Sequence, residues 1–146
     1  MIGRYWIAHH QFFSLLSRID QGLLGINLAY LAFVAFLPFP TALLGRYFEN
    51  PLSVAIYAGA VAIVSAMEVV QFRHAYRHRL LAHPLRPEVY RWGAMMSLSP
   101  VIFFVASMPV AFLNTSLAVA TWFLAVPFQA VANRWKPDGA DELLLR

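Results

Sequence analysis

The chain has 146 residues, of which 60% are hydrophobic and only 12% are charged. Soluble domains average about 45–50% apolar and about 25% charged residues, and a domain this small cannot hide so much apolar surface from water. The composition therefore excludes a soluble enzyme or a disordered chain as the first interpretation. The absence of cysteine excludes disulfides and thiolate chemistry, and membrane topology explains the net charge of +4 better than nucleic-acid binding does.

The first apolar segment, residues 5–17, is aromatic-rich and carries His9, His10 and Gln11. It is too short to cross a bilayer core of roughly 30 Å, which needs about 20 apolar residues. It also fails as a signal peptide, because its basic flank is a single arginine, two histidines interrupt the apolar region, and no cleavage site follows. We predict a partial helix that starts about residue 4, the other half of which would lie before Met1.

Four longer stretches, free of charge apart from Glu68 in the second and Arg91 at the start of the third, predict full spans at about residues 22–44, 52–72, 91–111 and 115–133. The last two come from a single uncharged run that is too long for one helix, and the polar triplet Asn114-Thr115-Ser116 marks the turn between them. The sequence thus predicts an all-α membrane protein, a helical bundle of four full transmembrane helices plus one partial N-terminal helix. This domain covers residues 1–133, and residues 134–146 form a polar tail.

Basic residues predict the orientation of the bundle. They cluster between the second and third full spans and after the last one: Arg73, Arg77, Arg79, Arg86, Arg91, Arg134, Lys136 and Arg146. The positive-inside rule then makes this side and the C-terminus cytoplasmic in a multi-pass protein of the cell membrane. One further helix upstream would bring the total to six.

Histidines at membrane depth are the clearest functional candidates, because each buried polar group must be paired or hydrated. For His9 and His10 the sequence leaves open a metal site, a haem ligand, a proton relay, a pore-facing network or simple hydrogen bonding between helices. Haem is disfavoured because the other histidines lie at a different depth. Asn27 is expected to hydrogen-bond to another helix, and Glu68 to pair with Arg73.

His74 and His78 have the i, i+4 spacing of a metal-binding pair. Three arginines lie among them and no acidic residue is near in sequence, so we predict a helix end that snorkels into anionic lipid, and no metal site or cofactor. Trp92 and Trp135 are expected in interfacial aromatic belts, and Pro100, Pro109 and Pro127 are expected to kink their helices. No catalytic constellation is present in the sequence, which predicts that the protein is not an enzyme.

Several blocks within residues 3–46 resemble the prokaryotic branch of the transmembrane protein 175 family of potassium-permeable channels. They are Trp6-x-x-His9-His10, Asn27-Leu28 and Leu37-Pro38-Phe39-Pro40-Thr41, in that order and spacing. From residue 52 onward the resemblance is weaker and depends on span lengths and a P-x-x-F-x-x-A-x-x-P pattern at residues 100–109.

The resemblance implies a six-helix subunit and a tetramer around a central pore that conducts potassium ions. Family members line that pore with their first helix, which carries an R-x-x-x-F-S-D-x-x-N motif and an apolar constriction. The tryptophan and a histidine of the second helix contact that motif. They correspond here to Trp6 and His10, with His9 as the adjacent candidate, and Asn27 matches the asparagine of the third helix.

The F-S-D motif is not found in this sequence. The expectation is that the first helix and the outer half of the second are missing, through an internal start codon or a real truncation. We therefore predict a potassium-channel subunit that does not conduct alone. The alternatives are a non-conducting membrane scaffold or channel-associated subunit, and a small transporter, for which Glu68 would be the only charge within a span.

Overall fold

The computed structural model describes residues 2–138 and 140; the rest of the predicted polar tail lies outside the described residues. Its helices are α1 (Ile2–Ser14), α2 (Gln21–Phe36), α3 (Pro38–Arg46), α4 (Pro51–Arg77), α5 (Pro87–Ala111), α6 (Thr115–Phe123) and α7 (Ala125–Ala132), followed by a 3-10 turn over Asn133–Trp135.

Four stretches of helix are long and apolar enough to cross a membrane: Gln21–Arg46, Pro51–Arg77, Pro87–Ala111 and Thr115–Trp135. α1 has 13 residues, a length of about 20 Å against the roughly 30 Å of a bilayer core. The predicted fold class, an all-α membrane bundle of four full helices and one partial helix, is confirmed.

Short polar side chains start three of the helical spans. Asp20, Asn50 and Asn114 are N-caps whose side-chain oxygens accept hydrogen bonds from the backbone N–H groups of Leu23, Leu52 and Leu117. Each cap satisfies a donor that the first helical turn leaves free. At Asn114 the cap lies within the polar triplet that predicts the turn between the last two spans.

Two of the spans are interrupted, each close to a proline. α2 ends at Phe36, two residues before Pro38, and α6 ends at Phe123, four residues before Pro127. A proline ring clashes with the carbonyl of the residue four positions earlier and lacks an N–H donor. α5, by contrast, runs without interruption through Pro100 and Pro109.

α4 is the centre of the bundle and packs against α2, α3, α5 and α6. Half of its most apolar stretch is buried, compared with 11–22% in the other three spans. The core cluster includes Tyr30 of α2, Tyr57 and Val64 of α4 and Phe104 of α5. Large apolar side chains on the outside of the bundle, such as Leu28, Ile102 and Phe123, are exposed, as expected of surfaces that face lipid.

Tryptophans connect α5 to the last span. The Trp122 indole N–H donates to Ser107 Oγ at 2.8 Å, and its ring lies 5.1 Å from that of Tyr57. The Trp92 indole N–H donates to the Ala132 carbonyl at 3.3 Å. Trp92 is buried, whereas Trp135 is 77% exposed. The aromatic-belt prediction is therefore wrong for Trp92, because this side chain packs between helices.

Candidate functional site

His9 joins α1 to α2 at membrane depth. Its Nε2–H donates to Asn27 Oδ1 at 2.8 Å. The imidazole lies parallel to the Tyr30 ring, with centroids 5.7 Å apart, and Trp6 and Phe13 of its own helix contact it from the other directions. Because Asn27 is buried, its amide oxygen needs such a donor.

A second hydrogen bond extends this polar group from α2 to α4. The Tyr30 hydroxyl donates to Glu68 Oε1 at 3.2 Å. His9, Tyr30 and Glu68 also line a cavity of about 220 Å³ between α1, α2, α4 and α5. Gln71 lines the same cavity, and its buried side-chain nitrogen has no hydrogen-bond partner among the described residues. Most of the cavity wall is apolar, and these polar side chains are the groups in it that can bind water.

The four residues singled out by the resemblance fall into two groups. His9 and Asn27 are bonded to each other, and Trp6 stacks on His9 with ring centroids 6.0 Å apart. His10 is exposed, and Trp6 is 64% exposed. His9 therefore makes the contact within this chain, while Trp6 and His10 present their side chains outward.

A second polar group lies at the basic end of the bundle, defined here as the end formed by residues 15–20 and 74–82. α4 ends there in a Schellman motif, in which Leu80 N–H donates to the Ala75 carbonyl and Arg79 N–H to that of Tyr76. Arg79 takes the left-handed position of the motif, with φ of 54°. The motif turns the chain so that Leu80 packs on Ala75 and Leu23.

The segment after this motif pairs with the end of α1. Ser17 N–H donates to the Leu80 carbonyl and Ala82 N–H to the Leu15 carbonyl, both at 2.8 Å. Leu16 and Leu81 form the antiparallel bridge between them. This pairing holds the α1–α2 connection, and with it Asp20, beside the last turns of α4.

Asp20 meets both histidines of α4 at the basic end. His74 Nε2–H donates to the two carboxylate oxygens of Asp20 at 2.9 and 3.0 Å. His78 Nδ1 lies 3.8 Å from Asp20 Oδ2. The two imidazoles stack with centroids 4.2 Å apart, as the i, i+4 spacing on one helix face allows.

The surroundings of Asp20 keep its carboxyl group ionised. The hydrogen bond from the Leu23 backbone N–H lowers its pKa most, and the hydrogen bond from His74 lowers it further, against a smaller effect of burial. Asp20 therefore both caps α2 and supplies negative charge to the two histidines.

Gly22 permits the close approach of His74 to the start of α2. A Cβ at this position would lie 2.7 Å from His74 Cε1 and 3.0 Å from Nε2. Any other residue at position 22 would displace the imidazole, because real contacts to a Cβ are not this short. The glycine lets His74 lie against the first turn of α2.

The sequence pointed to most of the candidate residues, but it did not predict which residues they would contact. His74 and His78 were judged by the arginines beside them, but the fold brings in Asp20 from 54 residues upstream of His74. Tyr30 was not singled out, although it contacts both His9 and Glu68. Its position three residues after Asn27, on the same helix face, is the signal that points to it.

Comparison with known proteins extends the geometric picture. Residues 1–38 match the family model described as endosomal/lysosomal potassium channel TMEM175. The chain is 34% identical to a potassium channel of Chamaesiphon minutus over 88% of this chain and 66% of that protein. It is 33% identical to a potassium channel of Streptomyces collinus over 53% of this chain and 38% of that protein.

A solved structure has a similar fold. It is the crystal structure of a lysosomal potassium-selective channel TMEM175 homolog from Chamaesiphon minutus, with a TM-score of 0.62 and 28% sequence identity. The match covers 88% of this chain and 66% of that one. This chain thus spans 66% of the length of the Chamaesiphon channel and 38% of that of the Streptomyces channel.

Proposed function

The chain belongs to the TMEM175 family, and we propose on that premise that it is part of a potassium-permeable channel of the lipid bilayer. The observation that carries the proposal is similarity in both sequence and fold to potassium channels over 88% of this chain. Its four apolar spans agree with a multi-pass membrane protein.

The ion path of this channel is lined by residues outside positions 1–146. Two observations support this. The matched relatives contain regions that this chain does not cover, and Trp6 and His10 expose their side chains on α1. We assign these two side chains to contact with a pore-lining helix, while His9, paired with Asn27, fixes the angle at which α1 meets α2.

Conduction in the assembled channel is passive. An apolar constriction would select among cations by the cost of removing their water, and a carbonyl-lined filter would not be needed. Residues 1–146 alone would then carry little or no potassium flux. By family resemblance, four subunits surround the pore.

Potassium flux into liposomes tests this proposal. One sample contains residues 1–146, and the other contains the same residues fused behind the part of the Chamaesiphon channel that they do not match. We expect flux only from the fusion. A fusion that is folded and tetrameric yet carries no flux would contradict the channel assignment and favour a non-conducting scaffold.

The orientation of the bundle forms a separate part of the proposal. The basic end is assigned to the cytoplasm by the positive-inside rule. Because the chain contains no cysteine, a single added one reports its own location. Leu113, 88% exposed at the opposite end, is the first position: Leu113→Cys should react with an impermeant maleimide on intact cells, and His83→Cys only after lysis. The reverse pattern would invert the topology.

A further inference from the structure

We propose that Asp20, His74 and His78 form a binding site for a divalent transition-metal ion of the zinc type. The proposal goes beyond channel function, because this group lies at the basic end of the bundle and its test needs no ion flux. The site brings together one carboxylate from the cap of α2 and two imidazoles from the last turns of α4.

The distances between the ligand atoms suit such an ion. One ligand atom from each of the three residues lies within 4.8 Å of the others, with His74 Nε2 at 2.9 Å and His78 Nδ1 at 3.8 Å from the Asp20 carboxylate. Tetrahedral zinc, with bonds of about 2.0–2.2 Å, places its ligands about 3.3 Å apart. Shifts of about an ångström in the side chains would close the site around the ion.

The ligand types select the metal. Imidazole nitrogens suit zinc, copper and nickel, whereas magnesium and calcium require sets of oxygen ligands. Two histidines and one carboxylate form a three-ligand zinc set with the fourth position open to water or another ligand. On binding, His74 Nε2 coordinates the metal in place of its hydrogen bond to Asp20, and the neutral imidazole then carries its single proton on Nδ1.

The neighbouring positive charges weaken metal binding at this site but do not prevent it. Arg73, Arg77 and Arg79 flank the histidines in sequence, and all three are exposed, where solvent and salt screen their charge. The Asp20 carboxylate supplies the negative charge that the sequence around the histidines lacks. A bound ion would tie the α1–α2 connection to the end of α4.

Calorimetric titration with zinc chloride tests the site on residues 1–146 in detergent, purified with a tag that contains no histidine. We expect one zinc ion per chain, and a higher thermal unfolding midpoint with zinc but not with magnesium. His78→Gln should weaken binding about tenfold or more. His83→Gln is the matched control, because His83 is an exposed histidine of the adjacent loop outside the cluster, and it should bind like the parent chain.

Two further variants separate ligation from folding. Asp20→Asn keeps a good N-cap residue but removes the charge, and it should weaken zinc binding while α2 stays folded. Gly22→Ala should also weaken binding, because the added Cβ displaces His74. X-ray absorption at the zinc edge should show two imidazole nitrogens. Equal affinities for His78→Gln and His83→Gln, or a spectrum with fewer than two imidazoles, would overturn the proposal.

Discussion

Half of the apolar stretch of α4 is buried among neighbouring helices, whereas α1 holds to the bundle through His9, stacked rings and a short backbone pairing. The stability of the core around α4 comes from close packing of its side chains. Lipid tails are as apolar as a leucine side chain, so moving such a side chain from lipid into protein stabilises the fold little unless it packs well. Among the side chains of α1 that the structure describes, Phe12 packs on the Leu23 cluster, and the contact of His9 depends on polar groups with defined partners.

The difference between these regions has a consequence for function. A region held by a few polar contacts opens at lower free energy than a packed core. In this protein the weakly held region includes the residues we assign to contact with the pore-lining helix. The surface that we propose for contact with the pore-lining helix therefore lies where the bundle can adjust, and the α4 core supports it.

The largest expected effect is in the core. Tyr57→Ala should lower the free energy of unfolding by about 3 kcal/mol, because it leaves a cavity beside Trp122 and Phe104. Unfolding in mixed detergent micelles measures this. Ile63→Ala on the same helix is the control, since Ile63 is 44% exposed. A similar loss of stability in both variants would show that a side chain buried in the bundle contributes no more than one on its outer surface.

A polar contact inside the core is the next test. Ser107→Ala should cost about 1–2 kcal/mol, because the Trp122 indole N–H loses its acceptor. The double-mutant cycle with Trp122→Phe, measured by the same unfolding method, isolates the hydrogen bond. Additive effects of the two substitutions would mean that this bond contributes nothing to stability.

His9→Ala should cost about 1 kcal/mol, the usual size of a hydrogen bond between membrane helices. The effect should be concentrated in α1, which hydrogen exchange of its backbone amides measures. His10→Ala is the matched control, because His10 is exposed, and it should leave exchange in α1 unchanged. Faster exchange in the His10 variant than in the His9 variant would reverse the assignment of the contact.

The smallest expected effect is a gain. Arg79→Gly should raise the free energy of unfolding by about 0.5 kcal/mol. A left-handed backbone costs a residue other than glycine about 1–2 kcal/mol, and the greater freedom of glycine in the unfolded chain cancels part of the gain. Thermal unfolding checks the sign. A lower midpoint would show that the Arg79 side chain has a stabilising role of its own.

The fold was largely predictable from local features of the sequence. Long apolar stretches with almost no charge indicated the four spans, and Asn114 marked the turn between the last two. The predicted second span stops at residue 72, and the helix continues beyond it to Arg77. Charge limits how far a helix is buried in lipid, whereas the Schellman motif at Arg79 decides where this helix ends.

The candidate sites were predictable only in part. His9 and Asn27 stood out because polar residues are rare in membrane helices, but their mutual hydrogen bond depends on how α1 approaches α2. Trp92 and Trp135 have the same expected place at the membrane surface, yet only Trp92 is buried against α7. Which tryptophan is buried depends on the helix that packs beside it.

The sequence by itself determined that the chain forms membrane-spanning helices and which residues break or cap them, because these outcomes depend on neighbours within a few positions. Only the tertiary structure decided that His9 rather than His10 meets Asn27, and that Asp20 joins His74 and His78. Those contacts connect residues 18 and 54 positions apart. Local chemistry selects the elements, and the packing angles of whole helices select the partners.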